Sequence, residues 1–282
     1  MLLSELTIHM TGELSKIYEP GEAAAITDWV AEHLTGIAKK DRRQHKDILL
    51  DADQVAASEQ ILSRLLTHEP VQYVLNESWF CGLKLYVDKN VLIPRPETEE
   101  LVEWIIGHCK FPLDQLSILD IGSGSGCIPI ALKRRLRKAS VWGCDISAPA
   151  LEIARNNAST LGTDVNFIQL DFLDLRARKE LPRFDIIVSN PPYIPTGESS
   201  SLADNVINYE PATALFVPDD DPLLFYKEIA KFGKEKMNKG GSIYLEIHEK
   251  YGEPITQLYT AQGYKTTMKK DMQGKDRMLR AE

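Results

Sequence analysis

Leu119-Asp120-Ile121-Gly122-Ser123-Gly124-Ser125-Gly126-Cys127 decides the fold of this 282-residue chain. An apolar run that breaks into alternate glycines and then resumes as an amphipathic segment reads as a strand, a tight turn and a helix. Glycine at every second position lets the backbone turn sharply and lie close to a ligand, while the following helix offers unpaired N–H groups. A dinucleotide-binding turn is the first competitor, but its G-x-G-x-x-G spacing needs a third glycine where this chain has Cys127. The spacing here is G-x-G-x-G.

Outward from that turn the pattern alternates. Strands are predicted over Ser117 to Ile121, Ser140 to Asp145, Val165 to Gln169 and Phe184 to Val188, with helices over Ile128 to Arg137 and Pro149 to Leu161. Short apolar runs between amphipathic helices predict an α/β fold whose mostly parallel sheet is covered on both faces. Further on, Asp221-Pro222 caps a helix reaching about Met237, Lys239-Gly240-Gly241 turns, and Ser242 to Ile247 forms a fifth strand. Tyr264 to Lys269 and Arg277 to Leu279 close the sheet as an antiparallel pair.

Upstream the character changes. Met1 to about Thr67 is helical: Pro20 suits a first turn, Ile26, Val30 and Leu34 recur at helical spacing, and Gly36 supplies a stop. A further helix spans Asp53 to His68, with Val55, Ser58, Leu62 and Leu65 on one face. Trp79 to Val87 alternates apolar and polar residues before an Asp88-Lys89-Asn90 turn, which predicts a β-hairpin. Two prolines in Leu92-Ile93-Pro94-Arg95-Pro96-Glu97-Thr98-Glu99-Glu100 then stiffen the approach to a helix with Leu101, Trp104, Ile105 and Cys109 as its buried stripe. The expected organisation is a helical domain over residues 1–72, a hairpin linker over 73–95 and an α/β domain over 96–282.

Composition narrows the function classes. A hydrophobic content of 43% suffices for ordinary cores, and a net charge of −8 with pI near 5.4 argues against a nucleic-acid polyanion as the principal partner. The one concentrated basic run, Lys39-Lys40-Asp41-Arg42-Arg43-Gln44-His45-Lys46, reads as a solvated loop or as a docking surface for an acidic or RNA-associated partner. Cys81, Cys109, Cys127 and Cys144 lie far apart without histidine company, so neither a metal site nor a disulfide framework is expected. No targeting segment and no apolar run of membrane-spanning length is evident, which points to the cytoplasm.

The chemistry gathers at the strand ends, where open α/β sheets bind ligands. Asp145, 19 residues beyond Gly126, ends the second strand, where a carboxylate can accept both hydroxyl protons of a ribose. Asp171-Phe172 follows the third, placing an acceptor for an adenine amino group beside a ring that can pack on its face. Asn190-Pro191-Pro192-Tyr193 follows the fourth. Alone, Asn-Pro-Pro can be only a turn that stops a strand. In this company it offers two acceptors, the Asn190 side-chain oxygen and the Pro191 carbonyl, to a substrate NH₂ group whose delocalised lone pair must be aimed rather than ionised. Tyr193 would pack against the planar amide.

The G-x-G-x-G turn resembles the S-adenosylmethionine loop of Rossmann-like methyltransferases. Glu69-Pro70-Val71-Gln72-Tyr73, Ile93-Pro94-Arg95-Pro96-Glu97-Thr98-Glu99, Asp120 through Gly126, Asn190-Pro191-Pro192-Tyr193 and Tyr209-Glu210-Pro211-Ala212-Thr213-Ala214-Leu215 together resemble the PrmC/HemK family. That family comprises the glutamine methyltransferases of peptide-chain release factors. The resemblance implies that Gly122, Ser123, Gly124, Ser125, Gly126, Asp145, Asp171, Phe172 and Asn190 hold S-adenosylmethionine, converted to S-adenosylhomocysteine. It also implies that Asn190, Pro191, Pro192 and Tyr193 grip the target glutamine, with Asn190, Pro191 and Tyr193 as the catalytic set. The implied partners are class I release factors, methylated in a Gly-Gly-Gln tripeptide and docked with help from the helical domain. Two stretches depart from the family pattern: Glu246-Ile247-His248-Glu249-Lys250-Tyr251, where Glu-Ile-Gly is common, and Phe216-Val217-Pro218-Asp219-Asp220-Asp221, where glycines are. An adenine-amine methyltransferase acting on DNA or RNA poses the same lone-pair problem and is the alternative enzyme, and a non-catalytic binding module is the alternative of another class.

Overall fold

The computed structural model describes residues 1–42, 47–109 and 116–282. The chain folds as two units, Met1–Asn76 with Ala203–Tyr209, and Glu77–Leu202 with Glu210–Glu282.

The first unit is helical. α1 (Leu3–Leu14), α2 (Pro20–Thr35), α3 (Ala52–Leu65) and α4 (Val71–Leu75) enclose Leu3, Met10, Leu14, Val30 and Leu65. Pro20 sits in the first turn of α2, where its missing N–H is no loss, and Gly36 ends that helix in the left-handed region at φ +69°. Asp51 caps α3 by accepting the Gln54 N–H, and the Gln54 side chain returns to accept the Asp51 N–H. Tyr209, from the distant segment of this unit, donates its hydroxyl to the Thr67 carbonyl at 2.8 Å. Of the basic run, residues 43–46 lie outside the described residues. Lys39 and Arg42 both pair with Asp28 of α2.

The second unit begins with β1 (Ser78–Phe80) and β2 (Leu83–Leu85), an antiparallel hairpin turned by Cys81 and Gly82 at φ +49° and +72°. The hairpin turn therefore falls inside the expected strand and not at Asp88-Lys89-Asn90, because two consecutive left-handed residues with glycine second suit a two-residue hairpin. Asp88 instead accepts the Asn90 N–H in a local turn beyond the hairpin. α5 (Pro96–His108), β3 (Ser117–Ile121), α6 (Cys127–Arg135), β4 (Ser140–Asp145), α7 (Ala148–Thr160), β5 (Asn166–Gln169) and β6 (Phe184–Ser189) follow in the expected alternation. The short β7 (Ile194–Pro195), α8 (Asp204–Tyr209, part of the helical unit), α9 (Ala212–Leu215) and β8 (Phe216–Val217) precede α10 (Leu224–Lys236), β9 (Met237–Glu246), α11 (Gly252–Ala261), β10 (Thr266–Lys270) and β11 (Asp276–Ala281).

Seven strands form one sheet in the order β10-β11-β9-β6-β3-β4-β5, parallel from β9 through β5 and antiparallel at β11 and β10. Each face buries its own cluster, one around Leu119, Ile187, Tyr226 and Phe232, the other around Ile118, Ile130, Val188 and Leu101. The chain runs from β3 outward to β5, then crosses back to β6 on the other side of β3. That reversal opens a crevice at the carboxyl ends of the central strands.

Three further local expectations change. Gly240 and Gly241 lie within β9, where Gly240 takes φ +84° and the register against β6 shifts between Phe184 and Ile186, so the pair makes an irregularity in a longer strand and not a turn before it. The buried face of α5 is Thr98, Leu101, Val102 and Ile105. Trp104 is only partly buried and Cys109 is the C-cap. Asp221 does not cap α10 with its side chain: its carbonyl accepts the Leu224 N–H and its carboxylate takes Lys227.

Candidate active site

Register places the strand ends side by side. Ile121 of β3 pairs with Cys144 of β4 and Ser189 of β6, and Asp145 pairs with Gln169 of β5. Gly122, Asp145, Asp171 and Asn190 consequently emerge at one sheet edge, and all four line a single cavity of about 400 Å³. Gly124, Phe172, Pro191 and Pro192 line it too. Val91 and Leu92 from the segment before α5, and Pro211 and Ala214 around α9, complete its walls.

The turn after β3 is closed by the Cys144 carbonyl, which accepts the N–H groups of both Gly122 and Ser123. Gly122 and Gly124 take φ of +78° and +51°, a region costly to any residue with a Cβ. Gly126 caps α6 and is packed by Ile130, Ala154 and Phe167. Ser123, Ser125 and Gly126 are not in the cavity wall; the two serines are buried at 4% and 2% exposure.

Asp145 accepts the Gly124 N–H at 2.8 Å through Oδ2 and the Ser147 N–H at 2.9 Å through Oδ1. Burial pushes its carboxyl up from the usual range while these backbone donors oppose the shift. Two bonds hold the group in place and leave lone pairs for a ligand. Asp171 is exposed and accepts the Leu173 N–H. Phe172 is turned into the core at 5% exposure, edge-on to Phe232 and beneath the Arg178 guanidinium.

Asn190 donates its Nδ2 hydrogen to Thr98 Oγ1 at 3.2 Å, and Thr98 donates its hydroxyl to Glu246 Oε2 at 2.6 Å. Tyr193 donates its hydroxyl to Glu246 Oε1 at 3.4 Å and sets its ring edge-on to His248. Tyr193 is not among the residues of the cavity wall, and its hydroxyl points toward β9. Burial pushes the Glu246 carboxyl up to about 7 and raises the Tyr193 hydroxyl as well. The segment before α5 is fastened to the segment after β6 by Glu210, which takes Arg95 Nη2 through Oε1 at 2.5 Å and the Ile93 N–H through Oε2 at 3.2 Å. Asn157 of α7 anchors the glycine turn from below, donating to the Ser125 and Tyr86 carbonyls.

Asp120 lies next to the site but not in its wall. It is fully buried near the end of β3, neither carboxylate oxygen has a hydrogen-bond partner among the described residues, and burial pushes it up to about 7 against the opposing pull of the Ser123 hydroxyl. Its signal in the sequence is an acid inside an otherwise apolar strand. Thr98 and Glu246 carry no local signal, standing 148 positions apart.

Comparisons with known proteins agree with this geometry at two levels. Residues 105–214 match the methyltransferase small domain, so the α/β unit is that of a methyltransferase. A methyltransferase from Pyrococcus furiosus shares the fold with a TM-score of 0.52, at 18% identity over 78% of this chain and 95% of that one. Residues 5–75 match the PrmC N-terminal domain. The release factor glutamine methyltransferases of Flavobacterium psychrophilum and Bacteroides thetaiotaomicron are each 40% identical to this chain, with 99% of both partners covered. The chain belongs to the release factor glutamine methyltransferase family.

Proposed function

We propose that the protein transfers a methyl group from S-adenosylmethionine to the side-chain amide nitrogen of the glutamine in the Gly-Gly-Gln tripeptide of class I release factors. The observation that carries this reading is that Asn190 and Pro191 line the same cavity as Gly122 and Asp145, in a chain alike end to end with curated release factor glutamine methyltransferases. The residues suit the cofactor. A 400 Å³ cavity is of ligand size, and Asp145 is held with lone pairs free for ribose hydroxyls. When bound, S-adenosylmethionine supplies a methyl group on a sulfonium, a good leaving group that departs as a neutral thioether.

The protein's part is positioning. The glutamine amide nitrogen is weakly nucleophilic because its lone pair is delocalised into the carbonyl. Acceptance of its two hydrogens by Asn190 Oδ1 and the Pro191 carbonyl fixes the nitrogen and directs its lone pair along the line of attack. The acceptors also stabilise the positive charge that grows on nitrogen as the new N–C bond forms. One N–H proton is then lost to solvent, leaving a neutral N-methyl amide. We assign docking of the release factor to the helical unit and the reaction to the cytoplasm. Among the described residues no helix is long and apolar enough to cross a membrane.

Incubation with S-adenosylmethionine and intact release factor should add one methyl to the Gly-Gly-Gln peptide by mass spectrometry; an unmodified peptide, or methyl transfer to adenine in nucleic acid instead, sinks the reading. Asn190→Ala should lower kcat roughly 100-fold or more, as expected for loss of a group aimed at developing charge, with cofactor affinity little changed. Equal loss of both refutes the role given to Asn190.

A further inference from the structure

Accepting the proposed amide chemistry, Asn190 must present oxygen and not nitrogen to the substrate, and the two ends of a carboxamide have the same shape. Something must therefore choose between them. The choice has to come from the groups on the far side of Asn190, since hydrogen-bond polarity is the only property that differs.

We propose that Thr98 and Glu246 are positioning residues for methyl transfer: the buried Glu246 carboxylate accepts the hydrogen bond of the Thr98 hydroxyl, which leaves Thr98 able only to accept from Asn190 and so turns Asn190 Oδ1 toward the cavity. The chain of polarity runs from Asn190 Nδ2 to Thr98 Oγ1 at 3.2 Å and from Thr98 to Glu246 Oε2 at 2.6 Å, the shorter bond being the one that ends on the acid. A hydroxyl has one proton. Once that proton is directed at Glu246, the lone pairs of Thr98 are what Asn190 meets, and only the NH₂ end of the amide can satisfy them. Tyr193 reinforces the arrangement by donating to the other carboxylate oxygen at 3.4 Å. Thr98 and Glu246 are 2% and 1% exposed, so water does not compete for either bond.

The same logic makes the selector sensitive to proton occupancy. Protonated Glu246 is itself a donor; Thr98 can then accept from it, give its own proton to Asn190 Oδ1 and favour the inverted amide. Four groups face the acid from the packed elements. Thr98 and Tyr193 donate to it, Arg277 of β11 holds its pKa down, and Glu97 of α5 pushes it up. Tyr226 of α10 donates to its backbone carbonyl, not its carboxylate. Burial dominates and carries the group to about 7.

The test uses the full-length enzyme with intact release factor at saturating cofactor. Wild-type kcat should rise with pH through one limb near 7. Thr98→Val, which keeps the shape and removes the hydroxyl, should lower kcat roughly 10–100-fold, the scale of a misaligned reacting group. KM for the release factor and calorimetric cofactor affinity should stay within about threefold, and Thr98→Ser should recover kcat to within about threefold of wild type. In Glu246→Gln the pH limb should vanish. A Thr98→Val enzyme with wild-type kcat, or a Glu246→Gln enzyme that keeps the limb, overturns the proposal. A readout independent of turnover is the Asn190 side-chain amide in ¹⁵N NMR spectra, identified by its loss in Asn190→Asp. Its resonances should shift between pH 5.5 and 8.5 in wild type and not in Glu246→Gln, and resonances that titrate alike in both proteins overturn it too. If wild type leaves the glutamine unmethylated, the functional reading fails, and the NMR comparison still decides the selector.

Discussion

Asp120 at the end of β3 and Glu246 at the end of β9 are both buried acids, and burial pushes both up to about 7, yet their surroundings are opposite. Glu246 has a hydroxyl on each oxygen, from Thr98 and from Tyr193, with Arg277 bringing positive charge nearby. Asp120 has no hydrogen-bond partner on either oxygen among the described residues, and Asp145 makes its ionisation harder still. A buried polar group without a partner costs free energy, so ionisation of Asp120 is a penalty that the fold carries. The difference separates a carboxylate that organises the protein's own side chains from one that stands uncompensated just before the cavity-lining Ile121 and Gly122.

The largest effect that can break this distinction comes from Asp120→Asn. The folded carboxyl titrates near 7 and the unfolded one near its ordinary 3.8. Between those values the folded chain holds a proton that the unfolded chain has lost, so this group's contribution to stability falls as pH rises through that window. The neutral amide removes the penalty. Relative to wild type, Asp120→Asn should therefore gain stability from pH 4 to 8, by on the order of 3 kcal/mol at the upper end. Denaturant titrations across pH measure this. Loss of stability at pH 8 would show that Asp120 is not an uncompensated buried charge.

How far these roles can be seen without the structure depends on the range of the interaction. Gly122, Asp145 and Asn190 are legible at strand ends because a strand, its turn and its helix are neighbours in sequence, and a parallel sheet puts every such end on one edge. Asp120 is legible as an acid in an apolar strand, though its isolation is not, since that depends on what fails to reach it from other elements. Thr98 and Glu246 are invisible as a pair: each sits in a plausible local context, α5 for one and β9 for the other, and only the crossing of β9 beside β6 brings them together. Tyr193 carries a long-range layer of the same kind. Its place beside Asn190 in the chain suggests packing against the substrate amide, while the groups that its hydroxyl and ring edge meet, Glu246 and His248, are 53 and 55 positions away and leave no trace beside it in the sequence. The hairpin turn fails for a local reason, because Cys81-Gly82 interrupts an alternation that would otherwise continue to Val87.

A smaller effect sharpens the β3 side of the comparison. Gly143 of β4 pairs with Asp120 across the sheet, and a Cβ there would fall 2.5 Å from Ser123 Oγ and 2.9 Å from the Phe167 ring. The glycine turn can therefore settle over β4 only because this position has no side chain. Gly143→Ala should cost about 1–3 kcal/mol by overpacking, and because Ser123 must move, cofactor affinity should drop with it. Chemical denaturation and calorimetry on the same preparation test this. A loss of stability with affinity intact would mean that the turn adjusts independently of the strand beneath it.

The smallest effect is expected from Glu246→Gln, and its size is what makes it informative. Ionisation of Glu246 also lowers stability between its ordinary 4.5 and about 7, so removing the charge should help at pH 8 as it does for Asp120. Glutamine, however, brings an NH₂ group toward two hydroxyls that already donate, and a buried donor left without an acceptor costs roughly 1–3 kcal/mol. Gain and loss then nearly cancel, leaving stability at pH 8 within about 1 kcal/mol of wild type. Urea titrations of Asp120→Asn and Glu246→Gln at pH 8 put the two acids side by side. Equal stabilisation by both substitutions would mean that the hydroxyls of Thr98 and Tyr193 do nothing for Glu246, and the contrast between the two buried acids would collapse.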